Sequence, residues 1–231
     1  ILANLCDFPN THLDKWYLED LLNEIGKYSQ LVKVYFYSEI TPGRTKKALA
    51  YFGTLITKIG KLGSVETNAA GGSSFENSIK FEDKAVWWIA KGFQLSNAES
   101  KWVEAFTHHH LDLLIFIGSL PDRRSIYNFF KATGDSGIAL AFHLPAYLLA
   151  TFGEGVDRER WQNALKVVKT ILSAWEEHYE TIIAPTPLID GFDLQRLLGL
   201  KPGKKIGYLL NLLVEEQASG MVNSEDEALD F

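Results

Sequence analysis

Apolar residues recur at every third or fourth position along most of this chain, and that spacing places them on one face of an α-helix. The clearest stripe lies within residues 157–181 and consists of Trp161, Leu165, Val168, Leu172, Trp175 and Tyr179. Asp157 is a suitable N-cap for this helix, and Pro185 and Pro187 follow its end. The pattern therefore predicts a long amphipathic helix in this part of the chain.

The same periodicity predicts helices elsewhere in the chain. Ser96 and Glu99 have the spacing of a capping box, which would open a helix over 97–116, and Ser224 with Glu227 repeats that spacing near the C-terminus. The other predicted helices cover 13–38 with a break near Gly26, 44–60, 81–92, 122–132, 138–152, 190–198 and 203–219.

Strand signals are scarce, and two loops divide the helices. Val32–Tyr37 is β-branched and aromatic, but it lies in a helical context and is predicted as helix. Gly60–Ser74 is rich in glycine and serine and predicts a linker, and Ile183–Pro187 separates the long helix from the C-terminal residues. We therefore predict an all-α protein with an N-terminal helical segment, a helical domain and a C-terminal helical subdomain, covering 1–43, 44–183 and 184–231.

Composition narrows the classes of function. The chain of 231 residues is 46% hydrophobic and 23% charged, which is typical of a globular protein and excludes a disordered chain. Its single cysteine excludes an internal disulfide and a zinc site of several cysteines. The net charge of -6 means that nucleic-acid binding would need a local basic patch. No apolar stretch approaches the ~20 residues that cross a bilayer, so we expect a cytoplasmic protein without membrane contact.

Three consecutive histidines, His108–His110, form the most conspicuous cluster of metal-ligating side chains. Consecutive residues of a helix point about 100° apart, so the three imidazoles cannot all bind one ion. A metal site would combine one of them with distant partners, for which Asp112, His143 and Glu76 are candidates. Histidines at a helix surface or interface are the alternative interpretation.

A second cluster surrounds a predicted junction between two helices. Gly199 has the position of a left-handed C-cap, and Pro202-Gly203 opens the next helix. The free N–H groups of that helix start would form a compact anion site together with Lys201, Lys204 and Lys205. An RNA phosphate is the natural ligand of such a site. A tight helix–helix turn with lysines that serve solubility is the alternative.

The segment 190–210, which reads DGFDLQRLLGLKPGKKIGYLL, resembles the C-terminal signature of bacterial tRNA nucleotidyltransferases (CCA-adding enzymes) and related poly(A) polymerases. Further matches to the family's conserved segments lie upstream, in Leu95–Glu99, His109-His110, Pro121–Phe130, Thr133-Gly134 and Leu148–Thr151. The resemblance extends over residues 44–231. It implies a helical module of the HD type, which in the family follows the nucleotidyltransferase domain.

The resemblance also implies that the HD metal site is lost. Leu55–Lys61 stands where the family module has L-L-H-D-I-G-K, so Thr57 and Lys58 replace its metal-binding His and Asp. Tyr147 likewise replaces an aspartate, and only His109 and His110 remain of the ligand set. We therefore expect a vestigial HD cleft of these five residues, without a metal or other cofactor. The sequence also lacks the nucleotidyltransferase pattern of a Gly-Ser followed by an Asp-x-Asp pair, because Gly63-Ser64 and Gly72-Ser73 have no such pair downstream.

The sequence therefore predicts a non-catalytic helical module that binds tRNA or another RNA. The predicted phosphate contacts are Lys201, Gly203, Lys204, Lys205, Arg123 and Arg124. Because the sequence begins at Ile1 without a methionine, an upstream nucleotidyltransferase domain of the same protein is an expected partner. One alternative is an HD-type phosphohydrolase that holds a divalent metal at His109 and His110, with Asp112 as a further ligand. The other is a repurposed scaffold that binds a protein or a nucleotide in the cleft.

Overall fold

A computed structural model describes residues 15–69, 91–152, 155–199 and 201–231 of the chain. Its helices are α1 (Lys15–Ile25), α2 (Ser29–Tyr37), α3 (Lys46–Ala69), α4 (Asn97–His108), α5 (Arg123–Thr133), α6 (Ser136–Phe152), α7 (Arg158–Glu177), α8 (Gly191–Leu198), α9 (Lys204–Ser219) and α10 (Glu225–Asp230). Short 3₁₀ segments cover Gly26–Tyr28 and Asp112–Phe116, and a π-helical turn covers Tyr179–Ile183. This architecture confirms the prediction of an all-α protein.

A small hairpin between α2 and α3 is the exception that the pattern missed. Strands β1 (Glu39–Thr41) and β2 (Arg44–Thr45) pair antiparallel across Pro42-Gly43. Gly43 has a φ of 81°, a left-handed conformation that glycine adopts without strain. Proline is common at the turn position just before such a glycine, and Pro42 occupies it here. A turn of two residues between such short strands leaves too few positions for a period-2 pattern to be recognised.

A buried carboxylate fixes this hairpin to the start of α4. The side chain of Glu99 is 1% exposed and accepts hydrogen bonds from the Thr41 hydroxyl, from Arg44 Nη1 at 3.1 Å and from the backbone N–H of Ser96 at 2.7 Å. The Ser96 hydroxyl accepts from the backbone N–H of Glu99 at 3.2 Å, which confirms the predicted capping box. Glu99 therefore caps its own helix and also binds the hairpin.

Two predicted boundaries were wrong. The helix predicted over 97–116 ends at His108, because the chain turns at His109 and continues as a 3₁₀ segment that places Leu113 in the core. Helix α3 continues to Ala69, through residues predicted as a linker. A glycine inside a helix costs only about 1 kcal/mol relative to alanine, so glycines alone do not end one. The rest of that linker and most of the helix predicted at 81–92 lie outside the described residues.

Two hydrophobic clusters form the core. The first joins α1–α7 and reaches Ile182 and Ile183, and α6 is its most buried helix, with Ile138 and Ala139 inaccessible to solvent. The second and smaller cluster joins α8, α9 and α10 through Ile189, Leu194, Ile206, Leu213, Val222 and Ala228. The change of cluster falls at the predicted break after residue 183. The predicted division into three parts stays a prediction, although residues of the N-terminal part belong to the first cluster.

In the part of the chain that the structure describes, no helix is both long enough and apolar enough to cross a membrane.

Candidate functional site

The start of α9 carries the predicted phosphate-binding residues. Gly199 ends α8 with a φ of 60°, as expected for a left-handed C-cap. Gly203 is the N-cap of α9 in an extended conformation, and no side chain caps this helix end. The N–H of Ile206 donates to the carbonyl of Gly203 at 3.1 Å, whereas the N–H groups of Lys204 and Lys205 have no acceptor within the helix and are available to water or a ligand.

Close packing of α8 against α9 holds this helix start in place. A Cβ atom at Gly191 would lie in van der Waals contact with Ile206 Cγ2 at 3.4 Å and with Leu210 Cδ1 at 3.7 Å, so the start of α8 lies directly against α9. Asp190 caps α8 and accepts from the backbone N–H groups of Asp193 and Phe192. The hydrogen bond from Asp193, supported by that from Phe192, lowers the pKa of the Asp190 carboxyl.

The three lysines of the cluster face solvent. Lys201, Lys204 and Lys205 are exposed, whereas Ile206 beside them is buried in the second cluster. None of the ion pairs between described residues involves these lysines. The structure therefore brings three cationic side chains to an uncapped helix start, which is the arrangement that the sequence predicted. We name Lys201, Gly203, Lys204 and Lys205 the α9 cluster.

Arg123 and Arg124 have partners within the chain. Arg123 Nε donates to the carbonyl of Ala218 at 2.9 Å, and its Nη2 donates to the carbonyl of Thr181 at 3.1 Å. Arg124 pairs with Glu216 at 2.6 Å and lies 3.7 Å from Glu215. Both arginines therefore connect α5 with the end of α9, and this is a structural role that the sequence pattern did not indicate.

Some of the predicted cleft residues meet around His143 on α6. Its ring lies 5.8 Å from that of His110 and 6.2 Å from that of Tyr147, measured between centroids. Thr54 Oγ1 on α3 lies 3.5 Å from His143 Nδ1, and Thr57 follows one turn later. His143 and Thr57 are 3% and 4% exposed. Lys58 belongs to α3, but its side chain lies outside the described residues.

His109 does not join this group. Its Nδ1 lies 2.6 Å from Asp112 Oδ2, at the turn that ends α4, whereas His110 approaches His143. The two histidines of the alternative metal site therefore point to different partners. No cluster of three or more metal-ligating His, Cys, Asp or Glu side chains exists among the described residues. The sequence named His143 and Asp112 as partners of the histidine cluster, but it could not tell which histidine approaches which partner, because only the fold brings α4 and α6 together. Glu76, the third candidate, lies outside the described residues.

Two tRNA nucleotidyltransferases are similar to parts of this chain. A stretch of 129 residues, 56% of this chain, is 31% identical to the CC-adding tRNA nucleotidyltransferase of Thermus thermophilus and covers 26% of that protein. A stretch of 64 residues is 39% identical to the A-adding tRNA nucleotidyltransferase of Deinococcus radiodurans and covers 14% of it. No protein-family model and no solved structure matches the chain. The matches span about a quarter or less of these relatives, and they support a relation between this chain and the tRNA nucleotidyltransferases.

Proposed function

We propose that this chain is a non-catalytic helical module that binds tRNA or a similar RNA through the α9 cluster. The observation that carries the proposal is the exposed, uncapped start of α9, where three lysines have no carboxylate partner among the described residues. The relation to tRNA nucleotidyltransferases supports RNA as the ligand. In the intact protein a nucleotidyltransferase domain would accompany this module and carry the transfer chemistry.

Two kinds of contact act on the same phosphate group. The N–H groups of Lys204 and Lys205 donate hydrogen bonds to a phosphate oxygen, and the partial positive charge of the helix start favours an anion there. Lys201, Lys204 and Lys205 then supply full charges within five residues of sequence. Because the chain carries a net charge of -6, its remaining surface disfavours loose contacts with RNA.

We assign Arg123 and Arg124 to positioning the α9 cluster. Both bind the end of α9 opposite to the lysines, and Arg123 also binds the π-helical turn at Thr181. The group around His143 is proposed as the remnant of the HD cleft, in which Thr57 and Tyr147 stand where the related module holds metal ligands. Binding through the α9 cluster needs no divalent metal under this proposal.

The test measures binding of a fluorescently labelled tRNA acceptor hairpin at graded salt, by anisotropy. Replacing Lys201, Lys204 and Lys205 with Gln should weaken binding and reduce the slope of log K against log salt by roughly 2 to 3, since each lost phosphate contact reduces it by roughly 0.7–0.9. The matched control replaces the exposed Lys101, Lys131 and Lys166 with Gln, which changes the net charge equally.

The slope of log K against log salt for the control variant should differ from the wild-type slope by no more than the roughly 0.7–0.9 of one phosphate contact. EDTA should leave the binding curves of the wild type and of the control variant unchanged. If the α9 variant binds with wild-type affinity and slope, the turn is only structural and the proposal is wrong. If EDTA abolishes binding, a metal site takes part, and the phosphohydrolase alternative gains support.

A further inference from the structure

Positive charge is concentrated in a part of the chain remote in sequence from the α9 cluster. Residues 26–65 contain seven Lys or Arg and one carboxylate, Glu39, although the whole chain has a net charge of -6. Helix α2 and the part of α3 up to Thr57 contain no acidic residue. Such an asymmetry is typical of a surface that meets a polyanion.

Three of these cationic side chains form ion pairs with carboxylates of the fold. Lys27 pairs with Glu177 at 2.8 Å, Arg44 with Glu99 at 3.1 Å and Lys46 with Asp135 at 2.7 Å. Lys33 and Lys47 belong to none of the ion pairs between described residues. Lys33 is exposed, and Lys47 Nζ lies 5.6 Å from the ring centre of Tyr37.

Aromatic rings accompany the two lysines at helical spacing. Tyr37 follows Lys33 by four residues on α2, and Tyr51 follows Lys47 by four residues on α3, so each tyrosine shares a helix face with a lysine. Tyr37 is 58% exposed and Tyr51 39%. Because Lys47 also contacts the Tyr37 ring, the two faces are adjacent. We name Lys33, Tyr37, Lys47 and Tyr51 the tyrosine–lysine face.

An exposed ring beside a cation suits an unpaired nucleotide. The base stacks on the ring while the ammonium group binds the phosphate, and any base has a face that can stack. A duplex conceals its base faces, so it would use only the lysines. We propose that the tyrosine–lysine face binds single-stranded RNA by stacking. This proposal goes beyond the α9 cluster, because it concerns other helices and unpaired nucleotides.

The experiment measures binding of a labelled oligocytidylate of about 12 nucleotides and of an RNA duplex of the same length to the 231-residue chain. Replacing Tyr37 and Tyr51 with Ala should weaken oligocytidylate binding by roughly fivefold or more for each stacked base and leave duplex binding nearly unchanged. Replacing both with Phe should retain the affinity, because stacking needs the ring and not the hydroxyl. The control Tyr179→Ala removes a ring that is 43% exposed elsewhere and should bind as the wild type does.

A lysine variant tests the same face without removing a ring. Replacing Lys33 and Lys47 with Gln should reduce the salt slope for oligocytidylate by roughly 1.4, at about 0.7 for each contact with a single strand. Wild-type affinity in the Ala variant, an equal loss in the Phe variant, or no oligocytidylate binding by the wild type would each overturn the proposal, as would an unchanged slope in the lysine variant.

The two experiments distinguish a failure of the α9 proposal from a failure of the proposal for the tyrosine–lysine face. If the α9 variant loses the hairpin but keeps oligocytidylate, both surfaces act, each on its own ligand. If the wild type binds the hairpin through the α9 cluster but does not bind oligocytidylate, the proposed function stands and the tyrosine–lysine face is wrong.

Discussion

The two basic groups that the sequence predicted as phosphate contacts lie in different environments. Arg123 and Arg124 bind carbonyls and carboxylates of α9 and the π-helical turn, whereas Lys201, Lys204 and Lys205 face solvent without an ion pair among the described residues. Both groups are short runs of cations next to a helix start. Only the fold determines which of the two groups already has hydrogen-bond or ion-pair partners within the chain.

The chemistry of the side chains explains the difference. A guanidinium group carries five donors in a fixed fork, so one arginine can hold two carbonyls from different elements, as Arg123 does. A lysine on a flexible stem keeps its hydration readily and loses little by remaining exposed. Arginines that lie between the two hydrophobic clusters are therefore weaker evidence for RNA binding than exposed lysines at an uncapped helix start.

Glu99 is the most buried carboxylate among the described residues, so its replacement should have the largest effect on stability of the changes considered. Glu99→Gln weakens the bonds from Thr41 and Arg44, and we expect a loss of about 1.5–3 kcal/mol in the free energy of unfolding at pH 7. Urea denaturation monitored by tryptophan fluorescence measures it. A loss below about 0.5 kcal/mol would show that the hairpin contributes little.

The pH dependence of the free energy of unfolding, measured for the wild type and for Glu99→Gln, tests whether the ionised carboxylate causes this loss. Burial opposes ionisation of Glu99, but the hydrogen bonds from Thr41 and Ser96 and the charge of Arg44 outweigh it and lower the pKa below 4.5. A lowered pKa in the folded state adds stability above the unfolded value, and this contribution is lost as the pH falls through the folded pKa. The stability gap between wild type and Glu99→Gln should therefore narrow below pH 4.5, and a constant gap would contradict this explanation.

Arg123 should have the next largest effect. Arg123→Ala removes the bonds to Ala218 and Thr181, and since the arginine is partly solvated we expect a loss of about 1–2 kcal/mol. Hydrogen exchange should show faster opening of α8–α10 than of α6, because the lost bond to Ala218 joins the helices of the two hydrophobic clusters. Equally faster hydrogen exchange in α8–α10 and in α6 would indicate that the chain unfolds as one unit.

Arg124 should matter less, although its distance to Glu216 is short. Its side chain is 43% exposed, and ion pairs with that exposure contribute about 0–1 kcal/mol. Arg124→Gln should therefore lower the free energy of unfolding by less than 1 kcal/mol, and the remaining difference should shrink in high salt. A loss as large as that of Arg123→Ala would mean that the carboxylates of α9 are more important than its carbonyls.

The α9 lysines should have the smallest effect on stability. Replacing Lys201, Lys204 and Lys205 with Gln should change the free energy of unfolding by less than about 0.5 kcal/mol, since surface substitutions away from buried contacts do little. Thermal unfolding of the variant used for RNA binding measures this. A large loss would show that the lysines support the turn, and any loss of RNA binding would then need another explanation.

Local signals were predictable from the sequence, and contacts across long sequence separations were not. The capping box at Ser96, the C-cap at Gly199 and the helices themselves follow from spacings of three or four residues, and the structure has them. The second role of Glu99 depends on Arg44, which lies 55 residues earlier. The approach of His110 to His143 likewise depends on how α4 and α6 pack. Periodicity carries no information about such pairs.

Helix α9 is attached to α5 at its end and packs against α8 near its start, so a tilt of α9 about the α5 attachment moves its start the most and carries α8 with it. Its end at Ala218 and Glu216 is attached to α5, and its start carries the lysines. Sixteen residues of helix span about 24 Å, so a tilt of about 10° at the attached end displaces the lysines by about 4 Å. That displacement exceeds the length of a hydrogen bond. A ligand or a neighbouring domain that strains the arginine attachment would therefore shift the lysines, and with them the proposed phosphate contacts, without touching a lysine.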